Sequence, residues 1–254
     1  MRIDVAFTPG EPPDAAVAIV VDVLRATTTI THALGQGYER VLACAGLDRA
    51  RELRTRLGDG TMLAGERGCV RPEGFDFGNS PREFGEGDPS GSTLVLTTTN
   101  GTRAIVAAAA HAGTVLVGSL ANLTACAATA ARTARQEKGD VLVQCAGVLG
   151  QFAIDDAYTA GRFVSELRVW LAEWEPSDAA QAAEAIAAAF SSAAEGLGAS
   201  QSARNLRAAD LADDVRYCAR EGVLDIVPTV GDVDGDVALI SVAPLVTKSV
   251  DPNA

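Results

Sequence analysis

The chain has 254 residues, of which 48% are hydrophobic and 21% charged, a globular composition with length enough for one large core or two modest ones. Its net charge of −12 argues against nucleic acids and anionic membranes as partners. It contains no apolar run of about 18 residues that would suggest a spanning helix. Five scattered cysteines without paired spacing fit a reduced, cytoplasmic protein better than a disulfide framework or a zinc site.

Residues Met1 to Phe7 read as a strand that Pro9-Gly10 turns, not as a signal peptide. The apolar run Ala16 to Val21 reads as a strand ending at Asp22, followed by the polar loop Leu24-Arg25-Ala26-Thr27-Thr28-Thr29 and a helix that Gly35 stops. An acid at the end of a buried strand is costly unless paired, solvated or bound to metal, so Asp22 has two readings. One is a structural pair with Arg25. The other is a site in which Arg25 is a bidentate phosphate ligand.

A second strand over Glu39 to Cys44, an amphipathic helix from Leu47 to Leu57 and a short strand at Met62 to Ala64 follow. The irregular stretch from Gly65 to about Gly91 carries Glu66, Arg67 and Asp76. Loops this long in a compact domain are usually functional or disordered, and the aromatic pair Phe75 and Phe77 argues for a lid.

The strand Thr93 to Leu96 then leads into Thr97-Thr98-Thr99-Asn100-Gly101-Thr102 and an Ala-rich helix. Short polar side chains, a Gly and a helix N-terminus make an anion site; the plainer reading is a capped helix start. Ser119 to Asn122 repeats the pattern after the strand Gly113 to Gly118. So does the stretch from Cys145 to Asp156 after the strand Asp140 to Gln144. There Asp155 and Asp156 open a helix whose dipole they complement, or hold a cation. Phe163, Val164, Leu167, Trp170, Leu171 and Trp174 form one core-facing stripe at helical spacing. Helices over 178–195 and 202–220, a short strand at Val223 to Pro228 and a hairpin turning at Asp232 to Asp236 complete the chain, with a loose tail after Lys248.

This alternation predicts an α/β protein, a three-layer α/β/α sandwich with a mainly parallel or mixed sheet. It is read as a single domain over residues 1–254, with room for two lobes. Parallel neighbours would carry the four polar loops to one sheet edge, where ligands bind in such folds. Two motifs compete poorly. Asp232-Val233-Asp234 lacks the buried strand that a dehalogenase-type nucleophile needs, and no Arg follows Cys145 at cysteine-phosphatase spacing.

From Val17 to Val242 the chain resembles the 2-phosphosulfolactate phosphatase family. The carriers are Val21 to Thr29, Gly65-Glu66-Arg67, Gly74 to Pro81, Thr97 to Thr102, Gly118 to Asn122, and Cys145 to Gly147 through Phe152 to Asp156 with Ala160-Gly161. Cys69 stands where the family has Gly, and Ala153 and Asp155 stand where Ser and Glu are usual. The resemblance implies Mg2+-dependent hydrolysis of the phosphate ester of a small 2-hydroxy acid, giving sulfolactate and phosphate in coenzyme M biosynthesis. Asp22, Glu66 and Asp156, with Asp76 in reserve, are then the expected metal ligands, and Asp22, Arg25, Glu66 and Asp156 the catalytic set. Arg25, Thr27, Thr28, Thr99, Asn100, Gly101, Thr102 and Ser119 would hold the phosphate, and Arg67 the substrate's other anionic group. A non-catalytic sensor of a phosphorylated metabolite is the alternative. A homodimer is expected only from the abundance of two-fold assemblies.

Overall fold

Alternating apolar runs and Ala-rich segments produce a mixed ten-stranded sheet with helices on both faces. The computed structural model describes residues 1–10, 12–85, 89 and 91–242; the tail expected to be loose after Lys248 lies outside them. In chain order the elements are β1 (Arg2–Ala6), β2 (Ala15–Val21), α1 (Ala26–Gly35), β3 (Arg40–Cys44), α2 (Leu47–Leu57), β4 (Thr61–Gly65), β5 (Thr93–Thr97), α3 (Gly101–Ala109), β6 (Ala112–Gly118) and α4 (Leu123–Glu137). They continue with β7 (Val141–Cys145), α5 (Ile154–Trp170), β8 (Glu175–Pro176), α6 (Asp178–Ala188), α7 (Ala193–Gly198), α8 (Gln201–Ala208), α9 (Ala212–Cys218), β9 (Pro228–Asp234) and β10 (Val237–Val242). Among the described residues no helix is long and apolar enough to cross a membrane.

The strand order is β4-β5-β3-β10-β9-β6-β2-β7-β1-β8. Two parallel blocks, β4-β5-β3 and β6-β2-β7-β1-β8, are joined by the β9–β10 hairpin through antiparallel pairings at β10–β3, β10–β9 and β6–β9. Three successive reversals mean that the blocks run in opposite directions. The polar loops after β2 and β5 therefore do not share an edge by parallel alignment, contrary to the sequence expectation. They converge on one cavity nonetheless. Ala18 and Val20 of β2, Leu94 and Leu96 of β5, and Ile240 of β10 bury one face against the same α1 and α3 residues, including Ile30 and Ile105.

On the outer face, α4, α5 and α6 bury Cys126, Phe163, Leu167 and Ala183 against β1, β2, β6 and β7, while α2 covers β3 to β5 through Ala50 and Leu53. The helical stripe of α5 holds for Phe163, Val164, Leu167 and Leu171. Trp170, however, is 42% exposed at the helix end, and Trp174 reaches the core from beyond it. The hairpin turns at Gly235, which takes φ +60, but its first strand begins at Pro228; Val223–Val227 is not part of it. Proline suits that first position because it has no ladder N–H to give. The expected lid is a strap. Asp76 Oδ2 accepts from Leu63 N at 2.8 Å, Phe77 bridges to Ala64, and Phe75 enters the α2 core, which ties residues 75–77 along β4.

Candidate active site

The loop after β2 is built by its own side chains. Thr27 Oγ1 accepts from Asp22 N at 3.1 Å, Thr28 Oγ1 donates to Val23 O at 2.9 Å, and Asp22 Oδ1 accepts from Ala26 N at 3.3 Å. The threonines thus shape the loop as fully buried braces, and their side chains do not line the cavity beside it. Thr102 does the same after β5. Its Oγ1 lies 3.2 Å from Thr98 Oγ1, behind the turn. Ser119 is fully buried and off the cavity wall, and its N and Oγ donate to Asn122 Oδ1, closing a short 3-10 turn. Local self-bonding of this kind is what Ser and Thr do at turns and helix starts.

A cavity of about 290 Å³ opens where these loops converge. Its walls include Asp22, Arg25, Glu66, Thr98, Thr99, Asn100, Asp155 and Asp156, so residues expected from four separate motifs share one space. Gly101 is not on the wall but packs against Asp22. A Cβ at that position would fall 2.7 Å from Asp22 Oδ2, so only glycine lets the start of α3 approach the acid. Asn100 is held by accepting at Oδ1 from Leu149 N, 2.9 Å away.

The four acids differ in freedom. Glu66 is clamped: Oε1 accepts from Thr99 N and Oγ1 at 2.9 and 2.8 Å, and Oε2 accepts from Cys69 N at 3.0 Å. Asp156 braces two strand ends, Oδ1 accepting from Val23 N and Oδ2 from Gly147 N. Asp22 Oδ2 has no hydrogen-bond partner among the described residues, and neither has the buried Asp155 Oδ1. These two, not Glu66 and Asp156, offer unengaged carboxylate oxygens. Asp155, for which the sequence left helix-dipole and cation-holding readings open, is thus one of the two acids with an unengaged oxygen.

Burial pushes the Asp22 carboxyl up to about 7, helped by the neighbouring Asp155 and Glu66 charges against the pull of the Ala26 N–H. Burial also lifts Asp155 to about 6. Asp156 is raised well above the ordinary carboxylate range by burial, then by Asp155 and Asp22. Like charges held together out of water cannot all ionise cheaply. Such a cluster is a proton reservoir or a cation receptor.

Two further expected residues lie elsewhere. Asp76 pairs with Arg54 at 3.2 Å and with the Leu63 amide, outside the cavity. Arg67 gives its guanidinium to Glu66 O, Ala45 O and Thr97 Oγ1, a structural tie and not a cavity wall. Arg25 is the one cation on the wall among the described residues, and it pairs with Asp214 on α9 at 2.6 Å, not with Asp22. Asn79, Ser202 and Asn205 also line the cavity. No local pattern marks them. Asn79 sat in a noted motif without an assigned role, and the other two come from a helix read only for its apolar spacing.

The chain is similar to known proteins over most of its length. Residues 6–232 match the protein family described as 2-phosphosulpholactate phosphatase. A Thermus thermophilus protein named probable 2-phosphosulfolactate phosphatase is 40% identical over 231 residues, covering 90% of this chain and 94% of the relative. A Deinococcus radiodurans protein of the same name is 37% identical over 237 residues, covering 93% and 95%. A third, from Thermotoga maritima, is 33% identical over 227 residues, covering 89% and 94%.

Proposed function

The chain belongs to the 2-phosphosulpholactate phosphatase family, and on that premise we propose that it hydrolyses the phosphate ester of a small 2-hydroxy acid, 2-phosphosulfolactate first. The observation that carries this reading is the meeting, in one small cavity, of a helix N-terminus with Asp22, Asp155 and Arg25. The cavity is at the low end of ligand-pocket sizes, which favours a short, highly charged substrate. Phosphate oxygens sit at the first turn of α3, where N–H groups lack helical partners, with Thr99, Asn100 and Gly101 around them. Water attacks phosphorus, the ester P–O bond breaks, and the 2-hydroxyl leaves with a proton. The attacking water gives up its proton, and the departing oxygen gains one, beside the buried carboxylates of the cavity wall.

Among the described residues no group of three or more acids, histidines or cysteines is arranged as a closed metal cage. Mg2+ needs none, because it binds through one or two carboxylates, keeping waters and substrate phosphate as its other ligands. Asp22 Oδ2 and Asp155 Oδ1 fit that role as oxygen donors without protein partners. Bound there, Mg2+ would supply charge neutralisation for the phosphate and the acids. Glu66 and Asp156 support the two loops from behind.

The test is phosphate release from 2-phosphosulfolactate, 2-phospholactate and phosphoglycolate, each with Mg2+ and with EDTA. Mg2+-dependent release favouring one 2-phospho acid is expected. Selection of phosphosulfolactate would extend the proposal to coenzyme M biosynthesis. Saturable binding without release from any ester would replace the enzyme with a sensor.

A further inference from the structure

Asp214 lies 189 residues from Arg25 in sequence and belongs to none of the polar loops. Its carboxylate is fully buried on α9. Oδ2 accepts from Arg25 Nη1 at 2.6 Å, Oδ1 accepts from the Ser80 hydroxyl at 2.7 Å, and Arg82 Nη1 stands 3.9 Å from Oδ1. A buried carboxylate held at both oxygens is a rigid anchor, since loss of either partner strands a charge out of water. Ser80 is itself fixed, because the preceding Asn79 carbonyl accepts from Thr29 Oγ1 at 2.9 Å.

Arg25 is only 3% exposed, yet among the described residues it donates to a single protein group. Its remaining N–H groups belong to a side chain that lines the cavity. Guanidinium N–H groups on a cavity wall are donors that an entering ligand can take. The anchors of Arg25, α9 and the 79–80 strap, are not the elements that carry the phosphate turn. Arg67, expected to meet the substrate's other anionic group, is off the cavity wall with Nη1 and Nη2 donating to Glu66 O, Ala45 O and Thr97 Oγ1. A planar fork of N–H groups matches a carboxylate or sulfonate.

We propose that Asp214 is a positioning residue, which together with Ser80 fixes Arg25 so that its unpaired N–H groups read the acid group the substrate carries beside its phosphate. This rests on the phosphatase reading above. The Mg2+-loaded protein is assayed on 2-phosphosulfolactate and on isopropyl phosphate, an ester with no acid group. Asp214→Asn and Ser80→Ala are expected to raise KM for phosphosulfolactate about tenfold with kcat within about threefold, so that preference over isopropyl phosphate falls about tenfold. Equal losses on both esters, or an unchanged preference, overturn the proposal. Ser80→Ala keeps the buried ion pair and serves where Asp214→Asn does not fold. Calorimetry with sulfolactate gives a reading free of turnover: binding about tenfold weaker in Ser80→Ala supports the positioning role. Equal affinity in the variant, or no binding by the wild-type protein, overturns it. A wild-type protein that binds sulfolactate but releases no phosphate rejects the phosphatase reading instead.

Discussion

Asp22 and Asp156 are both buried acids beside one cavity, but they should fail differently when changed. Asp22 carries an unpartnered oxygen and a carboxyl raised to about 7, mainly by burial. Asp22→Asn is expected to lower turnover at least about a hundredfold, the scale of a lost catalytic group. It should also stabilise the metal-free fold. The folded carboxyl binds its proton more tightly than the unfolded one, so wild type loses stability as pH rises from about 4 to 7, and the Asn variant is spared that loss. In EDTA, the melting temperature of the variant should exceed that of wild type by several degrees at pH 8, and the gap should shrink toward pH 4. No gap at pH 8 would place Asp22 in water. Asp156→Ala should behave in the opposite way. It strands the Val23 and Gly147 N–H groups, a loss of about 1–3 kcal/mol for each unsatisfied group, read as a lower midpoint in urea. Both acids were singled out in the sequence, and both line the cavity. Their division of labour was not, because it depends on which backbone amides reach each oxygen.

Helix α5 supplies the acids at its first turn, and its position is set by a close crossing with α6. A Cβ on Gly161 would overlap the Ala183 carbonyl of α6, backbone against backbone. Gly161→Ala should therefore cost about 1–3 kcal/mol or more by overpacking and shift Asp155, lowering both melting temperature and activity. The strap along β4 should respond only in stability. Asp76→Ala removes the acceptor of Leu63 N and the partner of Arg54, a cost on the order of 1–2 kcal/mol, while phosphate release stays within about threefold of wild type. A loss of activity much larger than that would return Asp76 to the site. The strap shows why an irregular segment misleads. Gly and Pro content announces a loop, but whether it hangs free or pairs along an edge depends on a partner strand elsewhere in the chain.

For the whole molecule, the net charge of −12 opposes capture of a multiply anionic substrate, and Arg25 is the one cation on the cavity wall among the described residues. Raising ionic strength from about 20 to 200 mM should then increase kcat/KM, since salt screens the global repulsion. A fall would mean that a local positive field dominates capture. The sequence by itself determined the alternation of strands and helices, the α/β class and the loops that deserve suspicion, including Asp22 to Thr29 and Thr97 to Thr102. These are local properties: hydrophobic period, Ala-rich helices, and Thr, Asn and Gly at turns. Tertiary packing set the two sheet blocks in opposite directions and still carried the polar loops to one cavity without parallel alignment. It alone turned Thr27, Thr28, Thr102 and Ser119 into braces, withdrew Arg67 and Asp76, and joined Arg25 to Asp214. The physical reason is the same each time. A short polar side chain looks alike in sequence whether it faces a ligand or its own backbone, and strand direction and long-range ion pairs are settled by packing between segments with no shared local pattern.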